Sequence, residues 1–291
     1  MGSTIALTGV GCPVVGDLNG DGIPDLLVPV DGNPNALLSY LNNGSGTFTL
    51  KSTTPTPNSG GYVVLADFDH DGKLDFATSG NLVALGNGDG TFQTPAPIVS
   101  PLPSGGFSSI AAGDINNDGW PDLVLTSEAI PYVNLYVLLN NQQGGFTQAP
   151  TDFGALTNQA ILADLDGDGN LDLVLQGVSA GGAFVYLGDG TGTFTYQVTL
   201  TDDFGFPGIN LVADLNGDGI PDIALLESDT LEIYLGQGGA TYATPFEIGT
   251  GPSPGSLLVA NVHGQPASAA LPDIVAPDTS GGVMTLINQT K

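Results

Sequence analysis

Positive charge is almost absent from this chain. Its 291 residues include three lysines, no arginine, two histidines and 30 acidic residues, and the formal net charge is −27. Binding to nucleic-acid phosphates requires clustered lysine or arginine, so the composition excludes a nucleic-acid partner. It disfavours an anionic membrane surface for the same reason. No apolar run approaches the roughly 20 residues of a membrane span, and we therefore expect no membrane insertion.

Residues that commonly carry catalysis are also scarce. With two histidines and no arginine, the chain offers few groups for general acid–base chemistry or for stabilising a developing negative charge. Cys12 is the single cysteine. We expect it to be a buried small residue on an inner strand, because an activated thiolate needs nearby cations. The acidic pairs Asp202–Asp203 and Glu227–Asp229 are typical of solvated turns, so we expect no enzymatic activity.

Five acidic segments of one design stand out against this background. We call them loops 1 to 5, and they occupy residues 17–25, 67–75, 114–122, 164–172 and 214–222. Loop 4 reads Asp164-Leu-Asp166-Gly-Asp168-Gly-Asn170-Leu-Asp172. Each loop has aspartate or asparagine at positions 1, 3, 5 and 9 and glycine at position 6. Hard oxygen ligands clustered around a tight turn suit Ca²⁺, whereas softer metals prefer histidine or cysteine.

The predicted side-chain ligands follow from these positions. They are Asp17, Asn19, Asp21 and Asp25; Asp67, Asp69, Asp71 and Asp75; Asp114, Asn116, Asp118 and Asp122; Asp164, Asp166, Asp168 and Asp172; and Asp214, Asn216, Asp218 and Asp222. Three loops carry three aspartates and two carry four, so the loops hold 17 of the 30 acidic residues. Five Ca²⁺ ions would change the formal charge from −27 to −17. We therefore expect about five ions and a fold that depends on them.

The spacing of the loops predicts the architecture. Successive loops begin 47 to 50 residues apart, and a worn sixth copy begins at Asn261 and resumes at Asp273. We expect that copy, which includes His263, to bind metal weakly or not at all. A period near 50 without helical periodicity indicates an all-β propeller. We predict one domain over residues 1–291 with six four-stranded blades, the last blade closed by a strand at Thr4 to Leu7. Seven blades are the alternative.

Each repeat contains four short apolar runs separated by Gly, Asn and Pro turns, which are typical of strands. The fourth run begins at an aromatic residue. Because these aromatics recur at one structural position, we expect them to pack between blades rather than to form a binding platform. They are Phe48, Phe92, Phe146, Phe194 and Tyr242.

The loops, the period and the turn Leu85-Gly-Asn-Gly-Asp-Gly-Thr-Phe92 together resemble the FG-GAP repeat family. That family is closely related to the VCBS repeats and includes the propeller of integrin α-subunits. The resemblance implies a β-propeller, often seven-bladed, with Ca²⁺ between the first and second strands of a blade. It also implies a main-chain carbonyl ligand at position 7. Here that position is held by Ile23, Lys73, Trp120, Asn170 and Ile220.

Three function classes remain open. The first is a non-catalytic, calcium-stabilised binding or adhesion module for an extracellular protein or surface partner. The second is a propeller lectin that binds a glycan, and the third is a carbohydrate-active enzyme, for which the chain is ill equipped. We expect a monomeric domain that is secreted or displayed at the cell surface, as a whole protein or as a fragment of a larger exported one. Fold alone does not decide among these classes.

Overall fold

The computed structural model describes residues 9–32, 34–57, 61–98, 107–127, 135–149, 157–177, 182–200, 208–227, 230–249, 258–260, 273–277 and 283–286. These residues form 23 strands and no helix, so the predicted all-β class is confirmed for this part of the chain. Within it, no helix is long and apolar enough to cross a membrane. Loops 1 to 5 all lie inside the described ranges. The predicted closing strand at Thr4 to Leu7 and the worn loop at Asn261 lie outside them.

The chain divides into two compact units, Met1–Ala155 and Leu156–Lys291. The first unit contains three antiparallel four-stranded sheets in which neighbouring strands follow chain order. Sheet 1 consists of β1 (Val14–Gly16), β2 (Asp25–Val30), β3 (Ala36–Asn42) and β4 (Phe48–Pro55). Sheet 2 consists of β5 (Val63–Ala66), β6 (Asp75–Thr78), β7 (Leu82–Ala84) and β8 (Ala96–Pro97). Sheet 3 consists of β9 (Ser109–Gly113), β10 (Asp122–Thr126), β11 (Leu135–Asn140) and β12 (Phe146–Gln148).

The second unit repeats the same plan. Its strands also pair in chain order, in two four-stranded sheets and one three-stranded sheet. Sheet 4 consists of β13 (Thr157–Ala163), β14 (Asp172–Gly177), β15 (Ala183–Gly188) and β16 (Phe194–Leu200). Sheet 5 consists of β17 (Gly208–Ala213), β18 (Asp222–Glu227), β19 (Thr230–Tyr234) and β20 (Phe246–Gly249). Sheet 6 consists of β21 (Leu258–Ala260), β22 (Asp273–Pro277) and β23 (Val283–Leu286).

Apolar side chains join each sheet to the next within a unit. Leu27 and Leu37 of sheet 1 share a buried cluster with Val63 and Phe76 of sheet 2. Similar clusters join sheets 2 and 3, sheets 4 and 5, and sheets 5 and 6. The second strand of each four-stranded sheet is the most enclosed. Sequential four-stranded sheets packed in this way are consistent with the predicted propeller.

The fourth strands of sheets 2 and 5 begin later than the sequence predicts. β4, β12 and β16 start at the predicted aromatic residues, but β8 and β20 start four residues after Phe92 and Tyr242. Phe92 and Tyr242 form isolated bridges instead. Pro95 and Pro245 follow these two residues, and proline has no N–H to donate to a strand ladder. The two prolines therefore divide what would otherwise be one strand.

Candidate metal centres

Loops 1 to 5 occupy the same place in their sheets. Each follows directly on the first strand, and its position 9 is the first residue of the second strand. The glycine at position 6 has φ between +80° and +89°, a conformation that side-chain-bearing residues rarely adopt. A Cβ atom added there would meet nothing within 4 Å, so the backbone angle rather than space requires glycine. These glycines are Gly22, Gly72, Gly119, Gly169 and Gly219.

Hydrogen bonds inside each loop orient the side chains at positions 1, 3 and 5 around the turn. The carboxylate at position 1 accepts from the N–H at position 6, at 2.8–3.0 Å in all five loops. Oδ1 at position 3 accepts from the N–H at position 5, at 2.8–3.2 Å. Oδ1 at position 5 accepts from the N–H at position 7, at 2.7–3.0 Å. The backbone therefore fixes at least one oxygen of each of these side chains.

The aspartate at position 9 differs from the other ligand candidates because it is fully buried in every loop. Its Oδ2 accepts from the N–H at position 2, at 2.7–3.0 Å. Its Oδ1 accepts from a backbone N–H at or just after the end of the third strand, at 2.7–2.8 Å. This carboxylate therefore ties the loop to the third strand, a role that the sequence analysis did not predict. The five residues are Asp25, Asp75, Asp122, Asp172 and Asp222.

Burial of these carboxylates is electrostatically unfavourable. Desolvation raises the pKa of Asp75 and of Asp122 to about 6, and neighbouring loop aspartates add to the effect. Burial raises the pKa of Asp172 and Asp222 in the same direction. In contrast, the N–H of Gly22 donates a hydrogen bond to the carboxylate of Asp17 and holds the pKa of that group below its usual value. A bound cation would favour the charged form of all these groups.

Two loops bring carboxylate oxygens especially close together. One oxygen from each of Asp67, Asp69 and Asp71, at positions 1, 3 and 5, lies within 4.8 Å of the others, and Asp164, Asp166 and Asp172, at positions 1, 3 and 9, form a second such group. These are the two loops with four aspartates. A donor set of oxygens alone fits a hard divalent cation and does not fit a metal that prefers nitrogen or sulfur. The residues present in the loops therefore fit Ca²⁺.

Loop 2 contains a cation of its own. The Nζ of Lys73 at position 7 lies 2.6 Å from Oδ2 of Asp71 at position 5. This hydrogen bond raises the pKa of Lys73 and lowers that of Asp71. The family resemblance implies a role only for the main-chain carbonyl at position 7. In loop 2 the side chain at that position also meets a candidate ligand.

The structure also places the other residues that the sequence analysis discussed. Cys12 is exposed, so the expectation that it is buried was wrong. It precedes β1 and is followed by Pro13, which cannot donate to a ladder. Packing between sheets is confirmed for Phe92, Phe146 and Tyr242, which lie against the clusters that join neighbouring sheets. The ring centroid of Phe146 lies 5.8 Å from that of Phe68 in loop 2, and Phe194 is buried. Asp202, Asp203, Asp229 and His263 lie outside the described residues.

A cavity of about 200 Å³ lies between sheets 2 and 3, and the sequence analysis did not predict it. Its walls include the aromatic rings of Phe68 and Phe146 and polar groups of Asp69, Gln93 and Asn140. The two sides of the cavity come from adjacent repeats. No local sequence motif predicts this cavity, because packing alone accounts for the repeated aromatic Phe146 and metal binding alone accounts for Asp69.

A protein-family model matches more than half of this chain. The family described as FG-GAP-like repeat matches residues 17–78, 77–125 and 164–225. Loops 1 to 5 all fall inside these three segments. Comparison with curated protein sequences gives no significant match.

Several solved structures share the fold. A lectin from Agrocybe aegerita, described as specifically recognising non-reducing terminal N-acetylglucosamine, is 24% identical, with a TM-score of 0.62 over 84% of this chain and 67% of that chain. The complex of BBS1N with ARL6DN contains a chain that is 12% identical, with a TM-score of 0.67 over 97% of this chain and 82% of that one. A Lactobacillus plantarum protein is 16% identical, with a TM-score of 0.55 over 91% and 82% of the two chains. At these identities the similarity establishes the fold only.

Proposed function

Because this chain belongs to the FG-GAP-like repeat family, we propose that it is a non-catalytic binding module whose frame is stabilised by calcium. The observation that carries the proposal is the common internal geometry of loops 1 to 5. In each, the same backbone N–H groups orient oxygen ligands around one turn. Five Ca²⁺ ions are held by the side chains at positions 1, 3, 5 and 9 and by the carbonyl at position 7.

The frame in this proposal is one closed propeller of six blades over residues 1–291. Five sheets have four strands and the sixth has three among the described residues. The segment Thr4 to Leu7 supplies the fourth strand of the sixth blade, which removes two exposed sheet edges. Loops of this type suit the high calcium concentration outside cells, so the proposed location is a secreted or surface-displayed protein. The proposed oligomeric state is a monomer.

Counting bound calcium tests this proposal directly. Metal analysis and titration calorimetry of the dialysed protein are expected to give about five Ca²⁺ per chain. At a single site, Asp168→Ala should lower calcium affinity at loop 4 by more than about 100-fold, because loss of an outer-shell partner alone costs roughly 10- to 100-fold. Asp166→Asn should be milder, since Asn19, Asn116 and Asn216 serve at that position in sister loops.

Two or fewer ions per chain would contradict the stoichiometry. Equal losses from Asp168→Ala and Asp166→Asn would contradict the assignment of ligands by position. The two variants are matched, because both lie in loop 4 and each removes one carboxylate.

The partner of the module is an extracellular protein or a glycan. The cavity between sheets 2 and 3 favours the glycan as a second candidate, because it combines aromatic rings with carboxylate, amide and main-chain groups. The Agrocybe aegerita lectin, which has a similar fold, recognises terminal N-acetylglucosamine. A glycan is therefore the second candidate partner, in addition to an extracellular protein.

A glycan array that includes N-acetylglucosamine-terminated glycans separates the two candidates. If the cavity binds sugar, the wild-type protein should give hits that Gln93→Ala weakens at least about fivefold, as loss of one hydrogen bond of about 1 kcal/mol implies. Thr195→Ala is the control, since Thr195 follows Phe194 just as Gln93 follows Phe92, and it should keep wild-type binding. A silent array beside a positive pull-down from cell-surface extract would remove the glycan candidate.

A further inference from the structure

Two aromatic rings connect loop 2 with loop 3. The imidazole of His70 stacks on the indole of Trp120, with ring centroids 4.0 Å apart and planes inclined by 2°. His70 is position 4 of loop 2 and has φ of 57°. Trp120 is position 7 of loop 3, the position whose carbonyl is a proposed calcium ligand. Any reorientation of one loop therefore acts on a residue of the other.

A buried amide makes a second connection between the same loops. Nδ2 of Asn140 donates to the carbonyl of Phe68 in loop 2 at 2.9 Å and to that of Pro121 in loop 3 at 3.2 Å. The backbone N–H of Asn140 donates to Oδ1 of Asp122 at 2.7 Å. One residue at the end of β11 is thus bonded to position 2 of loop 2 and to positions 8 and 9 of loop 3.

Corresponding positions in sheets 1, 2, 4 and 5 lack this connection or direct it elsewhere. The residue that donates its N–H to position 9 is Gly86 in sheet 2, Gly188 in sheet 4 and Gly236 in sheet 5, and glycine has no side chain to donate. In sheet 1 it is Asn42, whose Nδ2 donates to Pro24 of its own loop at 3.0 Å. Asn140 therefore differs from the corresponding residues of sheets 1, 2, 4 and 5, because its side chain donates hydrogen bonds to both loop 2 and loop 3.

We propose that loops 2 and 3 form one coupled pair of calcium sites, in which the His70–Trp120 stack and the amide of Asn140 make an ion bound at either loop increase the affinity of the other. The inference rests on the proposed calcium-binding function. Calcium at loop 2 orders the backbone that carries Phe68 and His70. That order fixes the partner groups of Asn140 and Trp120, so loop 3 loses less conformational freedom when it binds its own ion. The coupling must be reciprocal, because it is a free energy shared by the two sites.

Repulsion between the two ions opposes this coupling. Position 9 is buried in both loops, but positions 1 and 3 are half-buried and position 5 is exposed, so water and salt screen the repulsion over a Debye length of about 10 Å. The stack and the buried amide bonds are short-range contacts that salt screens much less. We therefore expect the favourable contacts to dominate at physiological salt.

Trp120 provides a local readout, because it is the only tryptophan in the chain. Its fluorescence during a calcium titration of the chelated and dialysed full chain reports on loop 3, and calorimetry separates this signal from a direct effect of loop 2 on the stacked indole. Asp69→Ala removes the position 3 ligand of loop 2 and leaves the residues of loop 3 unchanged. It should raise the calcium concentration at the midpoint of the tryptophan signal at least about fivefold, which is the lower end of typical coupling between sites. Asp166→Ala makes the same change in loop 4, the other loop with four aspartates, which takes part in none of the contacts above. It should leave the midpoint unchanged.

The contacts themselves are tested with residues taken from sister repeats. His70→Asn copies Asn117, which occupies position 4 of loop 3 at the same φ of 57°, and Asn140→Gly copies Gly86, Gly188 and Gly236. In this double variant, adding Asp69→Ala should no longer move the tryptophan midpoint. Calorimetry gives a second readout that does not depend on fluorescence. Asp69→Ala should weaken two sites, and Asp166→Ala should weaken one.

The outcomes distinguish the inference from the proposed function. If calorimetry of the wild-type chain detects no calcium binding, the proposed function itself fails. If about five ions bind but Asp69→Ala affects only one site and leaves the tryptophan midpoint where Asp166→Ala leaves it, the coupling is overturned. If the Asp69→Ala shift persists in the double variant, these contacts do not carry the coupling, and the proposal is likewise overturned.

Discussion

Chelation with EDTA is expected to lower the melting temperature of this protein by more than about 10 °C, since 1 kcal/mol shifts the melting of a domain of 150–250 residues by roughly 2–4 °C. An ion present at about 100 times its dissociation constant stabilises the folded state by roughly 2.7 kcal/mol. Five such sites would together match the entire stability of a typical domain, which is about 5–15 kcal/mol. Loss of even two ions therefore accounts for the expected shift.

The structural reason is the density of carboxylates that remains when the ion is removed. Oxygens of Asp67, Asp69 and Asp71 lie within 4.8 Å of one another, and the buried Asp75 adds a fourth charge to the same loop. The measurement is a thermal melt by circular dichroism or calorimetry in saturating calcium and in EDTA. Readdition of calcium, but not of magnesium at equal concentration, should restore the transition. An unchanged melt in EDTA would contradict a metal-dependent frame.

Protons should partly replace calcium in the chelated protein. The folded-state pKa of Asp75 and of Asp122 is about 6, above the roughly 3.9 of an unfolded aspartate. The folded state therefore binds these protons more tightly than the unfolded state, and stability rises as the pH falls from above 6 towards 4. In EDTA, the melting temperature should be higher at pH 5 than at pH 7. In subsaturating calcium the trend should weaken or reverse, because protons compete with the ion for the same oxygens.

The repeat plan could be predicted from the sequence because it depends on local signals. Acidic loops at a constant spacing locate the turn between the first and second strands, and short apolar runs locate the strands. Where the prediction was wrong, the cause was local: a proline or the position of one residue relative to its strand. Pro95 and Pro245 delay the fourth strands of sheets 2 and 5. Cys12 lies before the first strand rather than on it, so the apolar neighbours that suggested burial do not enclose it.

Contacts between distant residues could not be predicted in this way. Asn140 donates to Phe68, which lies 72 residues earlier in the chain, and no motif links the two positions. The bonds between position 9 and the third strand were missed for a related reason. Their acceptor is constant, but the donor is a backbone N–H 11 to 18 residues away, carried by glycine in some sheets and asparagine in others. A backbone donor leaves no trace in the residue type.

The second large effect concerns position 9, where two roles of one carboxylate can be separated. Asp122→Ala should destabilise the chelated protein by about 2 kcal/mol or more. It leaves two buried N–H groups, those of Ile115 and Asn140, without their acceptors, and each unsatisfied group costs about 1–3 kcal/mol. Removal of a buried charge offsets part of this loss. A structural role also explains why Asp273, in the worn sixth repeat, is still fully buried at the start of β22.

Asp118→Ala is the matched control, because Asp118 is a proposed ligand of the same ion in loop 3 but is exposed. Its hydrogen bonds to Trp120 and Gln142 lie in solvent, where water replaces them, so we expect a change within about 0.5 kcal/mol in EDTA. In calcium, both variants should lose the ion of loop 3. Denaturant unfolding in EDTA and in calcium measures the two effects separately. If the two variants unfolded at the same denaturant concentration in EDTA, position 9 would act through the metal alone, and its buried hydrogen bonds would not stabilise the sheet.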